Sequence, residues 1–443
     1  YRIRKGEAPI VVGARSAVFA PVHNLGLIVV DEEPEPSYKQ EESPRYHARD
    51  VAVMRGNMAR CAVLLCSATP SLESWTNVKR SKYKLAVLPR RADDRQMPAM
   101  RVVDMRIEAE RAGHACVFSK ELLDAMHKRL EKGEQVMLFL NRRGFATSLL
   151  CPFCGHVETC PQCSVSCTYH KTDDTIRCHV CGRTRKIPAK CPQCGDPRFR
   201  MAGIGTQRVE QIVRKCFPKA QIQRMDADVT HAKDAYARIL GDFRVGKTDI
   251  LIGTQMIAKG LHFPNVTLVG IVYADLSLYV PDFRAGERTF QLLAQVAGRA
   301  GRGDVAGEVI VQTYTPAHPA VRAAVKLDYD GFSTAELASR RELSYPPFAH
   351  LVHLGFRGRS ERQTAFCAEQ ASKTLKTALP SHVIVSEAVP APLARAKGLY
   401  RYQVLLRGRS VREMAGALRR YAANARLPSA VRMILDVDAV NMT

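Results

Sequence analysis

Long apolar runs are missing from this sequence. No uninterrupted stretch approaches the roughly 20 residues that a helical membrane span requires, and the chain does not open on the charged, apolar and small-residue order of a secretory leader. We therefore read it as cytoplasmic, with no membrane partner. Internal repeats and low-complexity tracts are absent too, which excludes a solenoid or a polar tail as the source of its length. Acidic side chains are scarce: 43 Asp and Glu stand against 66 Lys and Arg, a formal charge of +23. A surplus of that size calls for an anionic partner, most often nucleic acid, although a basic solubility bias gives the same total. With 46% hydrophobic and 25% charged residues, wholesale disorder is excluded. The 443 residues allow about two to four domains.

Cysteine, by contrast, is plentiful. Of the 14, eight fall in four C-x-x-C pairs within one short stretch: Cys151 and Cys154, Cys160 and Cys163, Cys178 and Cys181, Cys191 and Cys194. A two-residue gap lets both thiolates of a turn face one tetrahedral ion. The Gly after three of the pairs permits the tight knuckle that aims backbone N–H groups at sulfur. We expect two structural zinc ions (Zn2+), with thioredoxin-like redox pairs as the weaker reading; disulfides are rare in reducing cytosol. Nested pairing is favoured, with Cys160 and Cys163 joining Cys178 and Cys181 while Cys151 and Cys154 meet Cys191 and Cys194 around the base. Sequential pairing is the alternative, and spacing leaves it open. Cys167 is an extra thiol near the second pair; Cys61, Cys66, Cys116, Cys216 and Cys367 read as small core residues.

Around this insert the chain alternates apolar runs with helical patterns. LGLIVVDEEP, CAVLLCSATP, QVMLFLNRRG, TDILIGTQM, VTLVGIVYAD and GEVIVQTY are short, rich in Val, Ile and Leu, and end in polar or glycine residues. Such runs fit strands buried on both faces of a parallel sheet, with their polar ends gathered at one edge. The fold expected is α/β, with the zinc module inserted after the strand at Val136 to Leu140. An apolar strand ending in Asp-Glu is where phosphate-loop enzymes hold Mg2+ and orient the attacking water, which assigns Asp31 to the metal and Glu32 to the water. A solvated acidic turn is the plain alternative. SATP, from Ser67 to Pro70, ends another strand and is either a relay between nucleotide and DNA or an ordinary helix start. In QVAGRAGR, Gln295, Arg299 and Arg302 fall on one expected helix face, from which two arginines can reach a γ-phosphate.

GDFRVGKT, Gly241 to Thr248, matches the phosphate-loop pattern letter for letter. A true phosphate loop follows a strand and opens a helix, so that the helix amino end faces the phosphates. Here a helical pattern precedes the match and a strand pattern follows it. The stretch therefore reads as a helix-to-strand turn with Gly246 as the helix terminator.

Taken together, VVDEEP, SYKQEESPRYHARDVAVMR, SATPSLES, LFLNRRGFA, the four C-x-x-C pairs, GIGTQRVE, ILIGTQMIAKGLHFPNVTLV, DFRAGERTFQLLAQVAGRAGR and DVDAVNM resemble, in the same order, the bacterial replication-restart helicases of the PriA family, primosomal protein N′, in superfamily 2. The resemblance implies an α/β fold of two RecA-like helicase lobes, the first incomplete, with an inserted double zinc-binding module and a small α+β carboxy-terminal domain. It divides the chain into 1–89 (first lobe), 90–135 (linker and start of the second lobe), 136–150 and 196–344 (second lobe), 151–195 (zinc insert) and 345–443 (last domain). It implies ATP-driven 3′ to 5′ DNA unwinding at stalled forks, with ATP and Mg2+ as substrate and cofactor. The partners implied are forked and single-stranded DNA, single-strand DNA-binding protein, primosome proteins and the replicative helicase. By residue, it makes Asp31 and Glu32 the motif II acids and Ser67 to Thr69 motif III. Gly253, Thr254, Gln255, Lys259 and Gly260 become the motif V loop at nucleotide and DNA, and Gln295, Arg299 and Arg302 motif VI. Tyr38, Lys39, Tyr46 and His47 match the family's aromatic-rich loop, where rings and cations can stack bases and pair phosphates; the alternative is that Tyr46 and His47 pack under the following helix. Arg15 is carried over as a further DNA contact.

The sequence departs from the family pattern in places. Its DNA-binding and winged-helix domains and its phosphate loop are expected upstream of Tyr1. GARSAVFAP has Ala14 where the family has Thr, and Pro34 replaces the His of DEEH. The expectation is a chain that does not hydrolyse ATP by itself; the rival is an ATP-independent, zinc-stabilised fork-binding platform that recruits primosome partners. Beyond Pro346 and Pro347, HLVHLGFRG, HVIVSEAVPAP, YRYQVLLRG and VRMILDVDA read as strands separated by two helical stretches. Arg395, Lys397, Arg401 and Arg412 are placed there to face DNA or the acidic tail of single-strand DNA-binding protein, with scattered surface arginine as the alternative. Arg90 to His114 reads as an irregular link.

Overall fold

The computed structural model describes residues 2–88, 98–140, 148–170, 173–197, 199–201, 205–226, 235–254, 257, 263–300 and 307–441. Its centre is a six-stranded, all-parallel sheet in the order Ile222–Met225, Ile250–Gly253, Gln135–Phe139, Val266–Ile271, Glu308–Thr313, Ala99–Asp104. Every residue of Gln135–Phe139, Ile250–Gly253 and Val266–Ile271 is buried. Helices supply the cover on both faces that unbroken Val, Ile and Leu runs demand. Lys120–Glu131, capped at its start by Ser119, Thr206–Cys216, Ala235–Arg244 and Ala285–Ala297 all add side chains to this core. This sheet with its helices has the architecture of a RecA-like lobe.

Two strands of this sheet were not anticipated. Ala99–Asp104, with the helix Met105–Ala112 behind it, occupies part of the stretch read as an irregular link, and Ile222–Met225 forms the opposite edge. Both are edge strands, which have a neighbour on one side only and therefore carry polar residues that blur the apolar signal.

The other two expected strands, Leu27–Val30 and Ala62–Leu65, pair in parallel as a two-stranded sheet, and here the expectation of burial on both faces fails. Leu27, Val29 and Leu64 are 50%, 54% and 50% exposed. The helix Ala48–Ala59 covers one side of the pair, and Gly56 lets it approach closely: a Cβ there would stand 2.2 Å from Val63 Cγ2.

The last domain is antiparallel. Strands His350–Gly358, Leu399–Gly408 and Val431–Val437, with Val389–Ala396 and the short Ile384–Val385, carry helices Glu361–Ala378 and Val411–Asn424 on one face. The other face, through Leu351 and Leu405, packs on the cysteine-rich insert. Among the described residues no helix is long and apolar enough to cross a membrane.

Candidate motor site and metal centres

The strand ends gather the acidic motif and the helix Ala285–Ala297 at one place. Asp31 and Glu32 follow Leu27–Val30 and are exposed, with the Glu32 amide donating to Asp31 Oδ1 at 3.0 Å. Gln295 Nε2 donates to Glu32 Oε2 at 3.3 Å, so the expected motif II acid and motif VI amide meet across the two sheets. The helix ends at Ala297, with Gly298 as its cap. Arg299 therefore lies in the turn beyond it rather than on a shared helix face, because two glycines three residues apart weaken any continuation. Arg302, like Gln255, Lys259 and Gly260, falls outside the described residues. Gly253 and Thr254 end the strand Ile250–Gly253; a Cβ on Gly253 would sit 2.6 Å from Ile257 Cγ2 and 3.0 Å from the Met225 carbonyl, so the close approach requires glycine.

Sequence reasoning stopped at the first two acids and missed the third. Glu33 is buried, takes the Ser71 hydroxyl at 3.1 Å and pairs with Arg49 at 3.0 Å, and Arg49 also donates to Ser71 Oγ at 2.8 Å. Ser71 caps the helix Leu72–Lys79 that SATP introduces. The Leu72 amide then donates to Glu287 at 2.9 Å, and Glu287 holds the buried Arg340 at 2.7 Å. Tyr329 donates to the Pro70 carbonyl at 2.7 Å and packs edge-on to Trp75. This polar seam joins the two sheets beside a cavity of about 320 Å3 lined by Pro34, His47, Arg49, Glu73, Arg284 and Arg288, among others. No spacing rule could have found these partners, since each contact spans a long stretch of chain.

The aromatic-rich loop is folded back rather than extended. Gln40 N donates to the Tyr46 carbonyl at 2.8 Å, Arg15 donates to the Ser37 and Lys39 carbonyls at 3.0 and 3.1 Å, and the Tyr38 hydroxyl donates to the Asp31 carbonyl at 2.7 Å. Tyr46 meets Phe19 edge-on at 5.0 Å, and His47 begins the helix Ala48–Ala59. Burial, then the charge of Arg49, holds the His47 imidazole down to about 4. Lys39 corrects the expectation of a DNA contact: it is buried, with Nζ 2.8 Å from Asp436 Oδ1 and donating to the Val437 carbonyl at 2.7 Å. A cation closed inside such an ion pair is unavailable to a phosphate.

GDFRVGKT lies where its context placed it. Gly241 to Arg244 finish the helix Ala235–Arg244, Gly246 turns with φ +79°, and the strand begins at Ile250. Lys247 is exposed, 3.8 Å from Asp242.

The cysteines assemble in the nested arrangement. Cys151, Cys154, Cys191 and Cys194 form one group, Cys160, Cys163, Cys178 and Cys181 the other, with sulfurs within 4.8 Å of one another in each. Distances of 3.6 Å (Cys151 to Cys194), 3.5 Å (Cys154 to Cys191) and 3.7 Å (Cys160 to Cys181) match the roughly 3.8 Å edge of a tetrahedron built on Zn–S bonds of about 2.3 Å. All four turns share one backbone form. The fifth residue donates back to the first cysteine carbonyl at 2.8 to 2.9 Å and has positive φ, as Gly155, Gly182, Gly195 and, without glycine's freedom, Ser164. A hydrogen bond from the Cys163 thiol holds Cys178 below its ordinary value, while burial pushes Cys160 up. Donor type, number and spacing fit a structural zinc ion in each group. Cys167 is a fifth buried thiol nearby, pushed up to about 12 by burial. Of the five cysteines read as core, Cys367 is buried and the others are partly exposed.

On the insert-facing side of the last sheet, Arg357 stands opposite Arg401 on one neighbouring strand and Arg432 on the other. Three like charges on one rung repel unless an anion joins them; burial and Arg357 push the Arg401 guanidinium below its ordinary value, and the Glu41 carboxylate acts against them. Arg395 lies over the Tyr400 ring at 4.9 Å.

Comparison with known proteins agrees with this layout. Residues 203–304 match the helicase conserved C-terminal domain, residues 160–186 the PriA DNA helicase Cys-rich region domain, and residues 341–440 the primosomal protein N C-terminal domain. The replication restart protein PriA of Bacillus subtilis is 45% identical over 419 residues, 95% of this chain and 52% of that protein. The Haemophilus influenzae protein of the same name is 42% identical over 443 residues, 100% of this chain and 60% of that protein. That of Rickettsia typhi is 40% identical over 438 residues, 98% of this chain and 67% of that protein. The chain thus spans about half to two thirds of the length of these relatives. Among solved structures, RecG bound to a three-way DNA junction aligns over 70% of this chain and 29% of that one at 16% identity, with a TM-score of 0.35, too low to carry an argument. With the restart-protein relatives alignable along nearly the whole chain and three domain models falling in order on the inner cysteine group, part of the six-stranded sheet and the last domain, the chain belongs to the PriA family of replication restart proteins.

Proposed function

We propose that this chain works as part of an ATP-dependent DNA helicase that unwinds 3′ to 5′ at stalled forks and starts primosome assembly. The observation that carries the reading is the contact between Glu32 and Gln295, which brings the end of one parallel sheet against a helix of the other. In this reading Asp31 holds Mg2+ through water, Glu32 orients the attacking water, and Arg299 and Arg302 meet the γ-phosphate. Gly253, Thr254, Lys259 and Gly260 border the nucleotide, while Gln255, Arg15, Tyr38, Tyr46, His47 and Arg401 face DNA. The row Arg401, Arg357 and Arg432 supports a phosphate contact on the last sheet. Bound zinc supplies rigid cross-links in the insert, and the eight cysteines hold it. Forked and single-stranded DNA, single-strand DNA-binding protein, primosome proteins and the replicative helicase are the partners, and the cytoplasm is the site of action.

ATP hydrolysis with and without forked DNA tests the reading, measured on this chain, where none is expected, and on the chain extended to the length of its relatives, beside Glu32→Gln and Lys247→Ala in the extended chain. DNA-stimulated turnover reduced at least 100-fold in Glu32→Gln and kept in Lys247→Ala is the expected result. Turnover that survives in Glu32→Gln and disappears in Lys247→Ala overturns it and makes GDFRVGKT the nucleotide loop. DNA binding without stimulated turnover even in the extended chain favours the second reading, a zinc-stabilised fork-binding platform, for which the specific observation is Pro34 on the cavity between the sheets.

A further inference from the structure

The segment from Asp436 to Asn441, which ends the last strand and continues past it, touches both halves of the motor. Toward the first sheet, Asp436 pairs with Lys39, their side chains 12% and 6% exposed, Lys39 Nζ donates to the Val437 carbonyl, and Asn441 Nδ2 donates to Glu41. Toward the second, Arg284 donates to the Ala439 carbonyl at 3.1 Å and Arg288 to that of Val440. Asp438 fixes the segment to its own sheet: its amide donates to the Leu351 carbonyl at 2.7 Å, and its carboxylate pairs with His350 at 3.1 Å.

These contacts are specific rather than merely adhesive. A buried ion pair contributes little net stability, but it tolerates one geometry. Lys39 sits in the loop that Arg15 and Tyr38 tie to the Asp31 end of the first sheet. Arg284 and Arg288 stand at the start of the helix whose far end carries Gln295, and Arg284 also lies 3.5 Å from Glu73 on the first-sheet side. The segment therefore bridges the two bodies that supply Glu32 and Gln295, at a place away from both.

We infer that residues 436–441 are a strap from the last domain that sets the approach of the 36–47 loop to the helix Ala285–Ala297, and so positions Glu32 against Gln295. Asp436 and Lys39 act here as positioning residues. The catalytic consequence rests on the motor reading above; the mechanical one does not.

Amide hydrogen exchange on the whole chain tests the mechanical part, using Asp436→Asn and, should that variant fold poorly, a chain ending at Val437. The expected result is at least tenfold faster exchange at 36–47 and at the first turn of Ala285–Ala297, with the six-stranded sheet and Glu361–Ala378 unchanged. Unchanged exchange in the loop, or faster exchange spread evenly over the chain, overturns the strap. ATP turnover by the chain extended to the length of its relatives tests the coupling: a roughly tenfold loss of DNA-stimulated kcat at unchanged KM for ATP is expected in Asp436→Asn. If the wild-type extended chain shows no turnover, the motor reading fails and the exchange result alone decides the strap.

Discussion

The two parallel sheets of this protein are written in almost the same residues and held together by different forces. The six-stranded sheet buries Val136, Leu251, Val269 and Ile310 completely, between helices on both faces. The two-stranded sheet leaves Leu27, Val29 and Leu64 half in solvent and is tied down instead by the polar chain from Glu33 through Arg49, Ser71 and Glu287 to Arg340. An apolar run of Val, Ile and Leu thus reports that a strand forms. It does not report what covers the strand, because cover is supplied by elements distant in sequence.

The contrast can be broken most forcefully from the apolar side. Val269→Asp, an unpaired carboxylate at the centre of the six-stranded sheet, is expected to destabilise that body by more than about 4 kcal/mol and leave no cooperative urea transition. On the polar side, Glu33→Ala leaves Arg49 without its buried partner, an expected loss of about 3 kcal/mol. It is read as proteolytic cleavage and fast amide exchange confined to residues 27–79, with Gln135–Phe139 still protected. His47 sharpens the contrast through pH. Its folded value of about 4 lies below the ordinary 6.5, so below about 6.5 the unfolded chain takes up a proton that the folded one refuses. The stability is full above that point and is lost as pH falls toward 4, with a slope of up to about 1.4 kcal/mol per pH unit. Thermal melts between pH 7 and 4.5 should be flatter for His47→Gln than for the wild type. Smallest of all, Leu64→Ser on the open face is expected to change stability by less than about 1 kcal/mol by the same melts.

Much of the layout was legible in advance. All six apolar runs became strands, and the zinc insert followed from spacing alone because ligand geometry is local to each turn. The two strands that escaped, Ala99–Asp104 and Ile222–Met225, lie at the sheet edges, where the exposed Arg101 and the ion-paired Arg224 interrupt the apolar run. At the candidate site, Asp31, Glu32 and Gln295 are named from residue-type signals at strand and helix ends, and the structure brings Glu32 and Gln295 into contact. Glu33, Arg49, Glu287 and Arg340 could not, since their meaning lies in pairs far apart along the chain. Lys39 was misread for that same reason: composition shows a cation among tyrosines, and only the fold reveals Asp436 beside it.

The nesting of the cysteine groups also imposes an order of assembly. The inner group lies wholly between residues 160 and 181, so its four sulfurs can meet after a short, local search. The outer group must bring residue 151 to residue 194, a longer closure whose entropic penalty grows with the free chain enclosed. Once the inner cross-link forms, most of that chain is already immobilised, and the outer pairs inherit a much shorter effective loop. The insert can therefore close from its tip toward its base, and the last step, at Cys151 and Cys194, is the one that draws the neighbouring strands Leu149–Leu150 and Arg200–Met201 together.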